Sequence, residues 1–268
     1  GAVSALTDDG YNDDVPPVIT VLGDNPATVE LGSTYEDAGA TAMDAFHGNT
    51  NVVSSGTVDT SAVGSYTITY TATDLDNNTA TASRSVNVVD TTSPVITLTG
   101  DASVTVELGG TYTDAGATAT DASGAITVTS SGTVDTTTVG TYTITYSATD
   151  ASGNAATQVT RTVTVADTTA PTIVVTGDNP ATVELGTSYT DAGATATDAS
   201  GTVTVVTTGT VDVDTLGSYT ITYTSTDASN NSGTATRVVN VVDTTVPVFT
   251  SSSTFVIDEG DTDVGTVT

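Results

Sequence analysis

Four prolines set the frame for this chain. Pro17, Pro94, Pro171 and Pro247 stand 77, 77 and 76 residues apart, and similar phrases lead into them: Asp90-Thr91-Thr92-Ser93-Pro94 is answered by Asp167-Thr168-Thr169-Ala170-Pro171. Three full repeats lie between the first proline and the last. A period near 77 is longer than the roughly 20–50 residues of a solenoid repeat, whose units share one continuous core, so each copy must bury a core of its own. With 268 residues and 37% hydrophobic content, the chain suits several modest cores better than one large one. The boundaries read as an N-terminal segment 1–16, repeats at 17–90, 91–167 and 168–243, and an incomplete unit from 244 to 268.

The runs inside each repeat predict strands. Gly23-Asp24, Gly100-Asp101 and Gly177-Asp178 are turn dipeptides, and the segments between turns are rich in threonine, valine and tyrosine, residues that fit a pleated, half-buried surface. In Ser65-Tyr66-Thr67-Ile68-Thr69-Tyr70-Thr71 the large side chains alternate with threonine, and Tyr142, Ile144, Tyr146 and Tyr219, Ile221, Tyr223 repeat the pattern. Period-2 alternation with one polar face belongs to an antiparallel sheet packed on one side. About seven such strands per repeat predict an all-β, two-sheet sandwich of immunoglobulin type. Tyr66, Tyr142 and Tyr219 occupy the place of that fold's tyrosine corner, and Ile68, Ile144 and Ile221 the place of its core cysteine.

The recurring phrases TVELG, DAGATA, GTVD and GxYTITY resemble the bacterial surface immunoglobulin-like repeat, a type also appended to pesticidal crystal proteins. The resemblance covers Pro17 to Asp243 and implies tandem sandwiches arranged as an extended rod. The tail, with Val256-Ile257-Asp258-Glu259-Gly260, resembles the opening of a bacterial cadherin-like domain. Two strands cannot bury a core, so the chain reads as a piece of a longer protein.

Composition removes several function classes. Acidic residues outnumber basic ones 32 to 3, for a formal charge of −29, which repels nucleic acid and anionic membrane surfaces. No apolar run reaches a membrane span. There is no cysteine, hence no disulfide or thiolate metal site. The single histidine, His47, lies in a loop where the other copies carry serine, so a histidine-based catalytic triad is not repeated. Lysine is absent too, which excludes Schiff-base chemistry and lysine-derived isopeptide cross-links. No catalysis is expected. Arg84, Arg161 and Arg237 each stand six residues before a linker aspartate, in phase with Val86, Val163 and Val239. That phase aims the arginine stem inward, towards a carboxylate or backbone carbonyls of its own repeat.

The acids carry the strongest chemical signal. In an immunoglobulin-like strand order, Asp121 and Asp150 fall at the upper end of the second repeat beside linker Asp90, and Glu30 and Asp59 close the lower end of the first. The next joint gathers Glu107, Asp135, Asp167, Asp198 and Asp227; Glu184, Asp212 and Asp243 are the corresponding acids at the end of the third repeat, and Asp44 and Asp74 those at the top of the first. Bare carboxylates brought together repel, whereas Ca²⁺ takes six to eight oxygens at about 2.3–2.6 Å. Asp74-x-Asp76-x-Asn78 has the alternating oxygens of calcium loops without the rest of an EF-hand. The competing reading is that these side chains cap their own turns. Cadherin-type junctions use a first-strand glutamate, linker acids and acids of the next domain's loops. By that likeness Glu259 matches the first-strand glutamate in the tail, and Glu30, Glu107 and Glu184 match it in the repeats.

Each proline phrase is a joint. Proline fixes φ and forces the preceding residue extended, and no glycine loosens it. The expected function is a calcium-stiffened structural stalk of a secreted or cell-surface adhesin, surface-layer protein or fibre. Its partners are the neighbouring repeats and other copies in a fibre or layer. Two alternatives stay open: a glycan- or receptor-binding module, and a filament subunit assembled by strand complementation.

Overall fold

The structure, a computed structural model, describes residues 13–248. The expected cadherin-like opening beyond Val248 and most of the N-terminal segment lie outside the described residues. Every regular element among the described residues is a strand, and no helix there is long and apolar enough to cross a membrane. The chain divides into two compact units, one ending at Ala166 and one starting at Asp167.

The first unit holds two copies of one motif. In the first copy, β1 (Val18–Val21), β3 (Ala40–Asp44) and β4 (Gly48–Thr50) form one sheet in the order β1-β3-β4. The other sheet, β2-β7-β6-β5, is built from β2 (Ala27–Glu30), β5 (Val52–Ser55), β6 (Gly64–Thr73) and β7 (Thr79–Val89). The second copy repeats this with β8 (Val95–Leu98), β10 (Ala117–Asp121) and β11 (Gly124–Ala125) against β9 (Ser103–Glu107), β12 (Val128–Ser131), β13 (Gly140–Ala148) and β14 (Val159–Ala166).

The second unit contains β15 (Thr172–Val175) paired with β17 (Ala194–Thr197), facing β16 (Ala181–Glu184), β18 (Val205–Thr208), β19 (Gly217–Thr226) and β20 (Ser232–Val242). In all three copies the second strand runs parallel to the last, as Val29 beside Val88, Val106 beside Val165 and Val183 beside Val241. The chain changes sheets between the first and second strands, and Gly23, Gly100 and Gly177 make that crossing with φ between +72° and +81°, a conformation that costs glycine least.

The alternation expected in the sequence is what the strands bury. Tyr70, Val86 and Ile68 form the first core, and Ile144, Tyr146 and Val163 with Ile96 the second; Ile221, Tyr223 and Val239 with Val183 form the third. Burying each such side chain is worth about 1.5–3 kcal/mol. The threonines between them face outward. The tyrosine corners form as expected: the hydroxyls of Tyr66, Tyr142 and Tyr219 donate to the carbonyls of Ala62, Thr138 and Thr215 at 3.0, 2.8 and 2.8 Å. Gly132 of the GTVD phrase has φ +104°, and a Cβ there would run into the Thr143 carbonyl oxygen.

The three arginines are core residues, each no more than 2% exposed. Arg84 pairs with Asp37 (2.5 Å), Arg161 with Asp114, and Arg237 with Asp191 (2.6 Å). These aspartates open the DAGATA phrase. Arg161 also donates to the carbonyls of Asp101 (2.9 Å), Thr99 and Gly116, so the guanidinium ties the sheet crossing to its own strand.

Candidate metal centres

One turn and one loop of each copy converge on the linker that enters it. The turn after the long β6 strand, Asp74-Leu75-Asp76-Asn77-Asn78, places Asn77 at φ +70°, and its counterparts Gly153 and Asn230 have φ +93° and +72°. Only glycine and asparagine adopt this left-handed conformation readily. The bend lets one aspartate oxygen accept two backbone N–H groups: Asp74 Oδ1 from Asp76 and Asn78 (2.9 and 2.8 Å), Asp150 Oδ1 from Ser152 and Asn154 (2.9 and 2.8 Å), and Asp227 Oδ1 from Ser229 and Asn231 (both 2.8 Å). The asparagine closing the turn, Asn78, Asn154 or Asn231, donates its amide to the second aspartate oxygen at 2.8 Å. It also donates to the linker carbonyl of Asp13 (2.6 Å), Asp90 (3.0 Å) or Asp167 (3.0 Å).

The loop at the end of the third strand adds another carboxylate. Asp44 accepts from the Phe46 and His47 N–H groups (2.8 and 2.7 Å), Asp121 from Ser123 N–H and hydroxyl (2.8 and 2.7 Å), and Asp198 from the same groups of Ser200 (2.8 and 2.5 Å). The result is three like clusters: Asp13, Asp44 and Asp74 with His47; Asp90, Asp121 and Asp150; Asp167, Asp198 and Asp227. One ligand atom from each member lies within 4.8 Å of the others. Asp44, Asp74, Asp90, Asp150, Asp167 and Asp227 are all buried.

Hydrogen bonds favour the charged form of Asp44, Asp74, Asp150 and Asp227. Burial pushes Asp74, Asp150 and Asp227 up, but the closing asparagine and the turn N–H groups outweigh it and leave each below the usual carboxylate range. Asp44 is lowered chiefly by the His47 N–H. Some oxygens nevertheless lack partners: Oδ1 and Oδ2 of Asp167, and Oδ2 of Asp13 and Asp44, are buried without a hydrogen bond. An unpaired buried polar atom is costly, and a cation is one way to satisfy several at once.

The remaining acids do other work. Glu30 grips the linker leaving its copy. Its carboxylate accepts from the N–H groups of Thr91 (2.7 Å) and Thr92 (3.1 Å) and from their hydroxyls (2.8 and 2.9 Å). Glu184 holds Thr244 and Thr245 through the same set of four bonds, between 2.7 and 3.0 Å. Those bonds, led by the Thr244 hydroxyl, lower the Glu184 carboxyl to about 2. Asp59, Asp135 and Asp212 cap the turn before the tyrosine corner, accepting from Ser61, from Thr137 and Thr138, and from Asp214 and Thr215 respectively. Asp243 is exposed and accepts from the Thr245 N–H at 3.2 Å.

The first joint therefore gathers three carboxylates instead of five, because Glu30 and Asp59 spend their oxygens on nearby N–H and hydroxyl groups. Glu107 ends β9 beside Ala166. Asp76 lies against the first cluster, its Oδ2 accepting from the Asp13 N–H at 3.3 Å. Asn78, expected as an oxygen donor, instead presents its amide nitrogen to Asp74 and to the linker. Asp13 was overlooked. It stands 77 residues before Asp90, and that spacing was the available signal.

Sandwiches of this topology, repeated in tandem with acids at the linker ends, define a chain of immunoglobulin-like modules. A family model described as "Bacterial surface protein, Ig-like domain" matches residues 19–88, 96–165 and 173–241, and the chain belongs to that family. Two curated relatives are both named hyalin. That of Strongylocentrotus purpuratus is 32% identical over 261 residues, covering 89% of this chain and 22% of the relative. That of Lytechinus variegatus is 37% identical over 262 residues, covering 88% and 49%. The chain thus spans between about a fifth and a half of the length of the curated relatives it matches. Among solved structures, the protocadherin GammaB4 extracellular domain matches 87% of this chain and 52% of its own at 15% identity and TM-score 0.32. Drosophila N-cadherin EC1-4 matches 87% and 76% at 15% identity and TM-score 0.30. At such scores the superpositions add nothing to the fold established by strand pairing.

Proposed function

We propose that the chain is a run of non-enzymatic structural repeats from a large secreted or cell-surface protein, acting as an adhesive stalk whose joints are stiffened by Ca²⁺. The observation that carries this reading is Asp167: both of its carboxylate oxygens are buried without a hydrogen bond, inside a group completed by Asp198 and Asp227. Oxygen-only donors, several of them charged, suit Ca²⁺, and its charge would offset repulsion on the order of 1 kcal/mol per close carboxylate pair. Asp90, Asp121 and Asp150 would hold a second ion.

The linkers support the same reading without metal, since Glu30 and Glu184 each fix two consecutive threonines. A net charge of −29 favours accumulation of divalent cations over binding to anionic partners. Two relatives named hyalin and membership of a bacterial surface family support an extracellular setting and a mechanical or adhesive role.

The test is removal of calcium. Adding Ca²⁺ to the chelated chain should raise its melting temperature and its scattering-derived maximum dimension, and EDTA should reverse both. If neither quantity responds at millimolar Ca²⁺, calcium leaves the account.

A further inference from the structure

The first cluster differs from the other two by a single inserted residue. Asp44 pairs with Gly48 across Ala45, Phe46 and His47, whereas Asp121 pairs with Gly124 and Asp198 with Gly201 across two residues each. The longer loop carries an imidazole into the carboxylate group. His47 Nδ1 lies 3.4 Å from Asp44 Oδ1 and 3.5 Å from Asp13 Oδ2, and Nε2 lies 3.5 Å from Asp76 Oδ2.

Three atoms at this spot are buried with no hydrogen-bond partner: His47 Nδ1, Asp13 Oδ2 and Asp44 Oδ2. The Asp44 side chain is fully enclosed, at 0% exposure. Its other oxygen is fixed by the Phe46 and His47 N–H groups, which orient the carboxylate and leave Oδ2 without work. Orienting contacts of this kind are what a metal-ligating carboxylate requires. The Phe46 ring meets the imidazole edge-on, with centroids 5.2 Å apart and planes at 80°.

We propose that Asp13, Asp44, His47 and Asp74 form a site for a first-row transition-metal ion of the Zn²⁺ class, chemically distinct from the oxygen-only clusters of the second and third copies. Nitrogen decides the ion. Ca²⁺ takes oxygen ligands, while imidazole nitrogen beside carboxylates suits Zn²⁺ and its neighbours. The 3.5 Å between His47 Nδ1 and Asp13 Oδ2 is close to the edge of a tetrahedron whose bonds are about 2.0–2.1 Å long, roughly 3.3–3.4 Å. The proposal goes beyond calcium stiffening and does not depend on it.

His47 is the sole histidine, so the whole chain offers one unambiguous probe. Zn²⁺ titrated into the chelated protein should move the single set of imidazole nitrogen NMR signals, saturating at one ion per chain, and millimolar Ca²⁺ should not reverse it. His47→Ser should weaken the tightest Zn²⁺ binding at least tenfold, with the loss checked against an unchanged melting curve without metal. Co²⁺ in place of Zn²⁺ should give absorption typical of nitrogen and oxygen ligation in the wild type and lose it in the variant. Imidazole signals indifferent to Zn²⁺, or displacement of Zn²⁺ by equimolar Ca²⁺, would overturn the proposal. Because the imidazole signals come from His47 alone, a chain whose melting temperature and dimension ignore millimolar Ca²⁺ while those signals shift with Zn²⁺ would sink the calcium reading and leave this one standing.

Discussion

The guanidinium of Arg161 lies over the ring of Tyr146, with Cζ 5.6 Å from the ring centroid, and both side chains donate to the same oxygen of Asp114. Arg84 with Tyr70 and Arg237 with Tyr223 repeat the arrangement at 5.9 and 6.0 Å. A chain with three basic residues thus spends all of them inside its cores. From the last strand of their copies, Arg161 and Arg237 reach carbonyls of the sheet crossing after the first strand, those of Thr99 and Asp101 and that of Thr176, and Arg84 reaches the Gly39 carbonyl.

Removing that cation should be expensive. Arg161→Ala leaves Asp114 without its charge partner and the carbonyls of Thr99 and Asp101 without a donor. Breaking a buried pair typically costs about 3–5 kcal/mol. The expected result is a denaturant midpoint for the second copy far below the wild type's, with little change in the third copy's transition.

The tyrosine hydroxyls grade the same network. Tyr142 makes one hydrogen bond at the corner, so Tyr142→Phe should cost about 0.5–1.5 kcal/mol. Tyr146 is 1% exposed, and burial, then the Asp114 hydrogen bond, pushes its hydroxyl up to about 12. Tyr146→Phe should cost more, about 1–3 kcal/mol, because charged partners lose a bond they cannot replace with water. Equal costs in paired unfolding curves would contradict this ranking.

Strands and cores were legible because alternation is local: GxYTITY declares which face is buried within seven residues. The inward arginine was legible for the same reason. Its partner was not, since Asp114 lies 47 residues from Arg161 in sequence and meets it only when both sheets close. Glu30 looked like a metal ligand by its distance from the proline, yet the adjoining threonines supply N–H and hydroxyl donors that claim both its oxygens. The upper-loop acids were read correctly as neighbours, because their loops return to one end of the sandwich. The imidazole's place beside them followed from a one-residue insertion in the loop, which the strand pattern did not expose.

Acid should loosen the linker held by Glu184. Its carboxyl titrates at about 2 in the folded chain against an ordinary value of 4.5. A lowered folded-state value means that the contribution is whole above about 4.5 and is lost as the pH falls towards 2. Carbon-detected NMR titration should find the Glu184 midpoint well below those of exposed glutamates. The Thr244 and Thr245 amide signals should move with it, and Glu184→Gln should remove that coupled shift.

Asp167→Asn separates electrostatic cost from metal binding by giving them opposite signs. In chelator the variant should be more stable than the wild type, since one of three carboxylates within 4.8 Å of each other becomes neutral and repulsion on the order of 1 kcal/mol per pair is relieved. In Ca²⁺ the order should reverse, because the amide supplies one neutral oxygen where the carboxylate offered two charged ones, both without hydrogen-bond partners. Melting curves of the two proteins, with and without millimolar Ca²⁺, should therefore cross. Parallel shifts would mean that Asp167 repels its neighbours without ligating an ion.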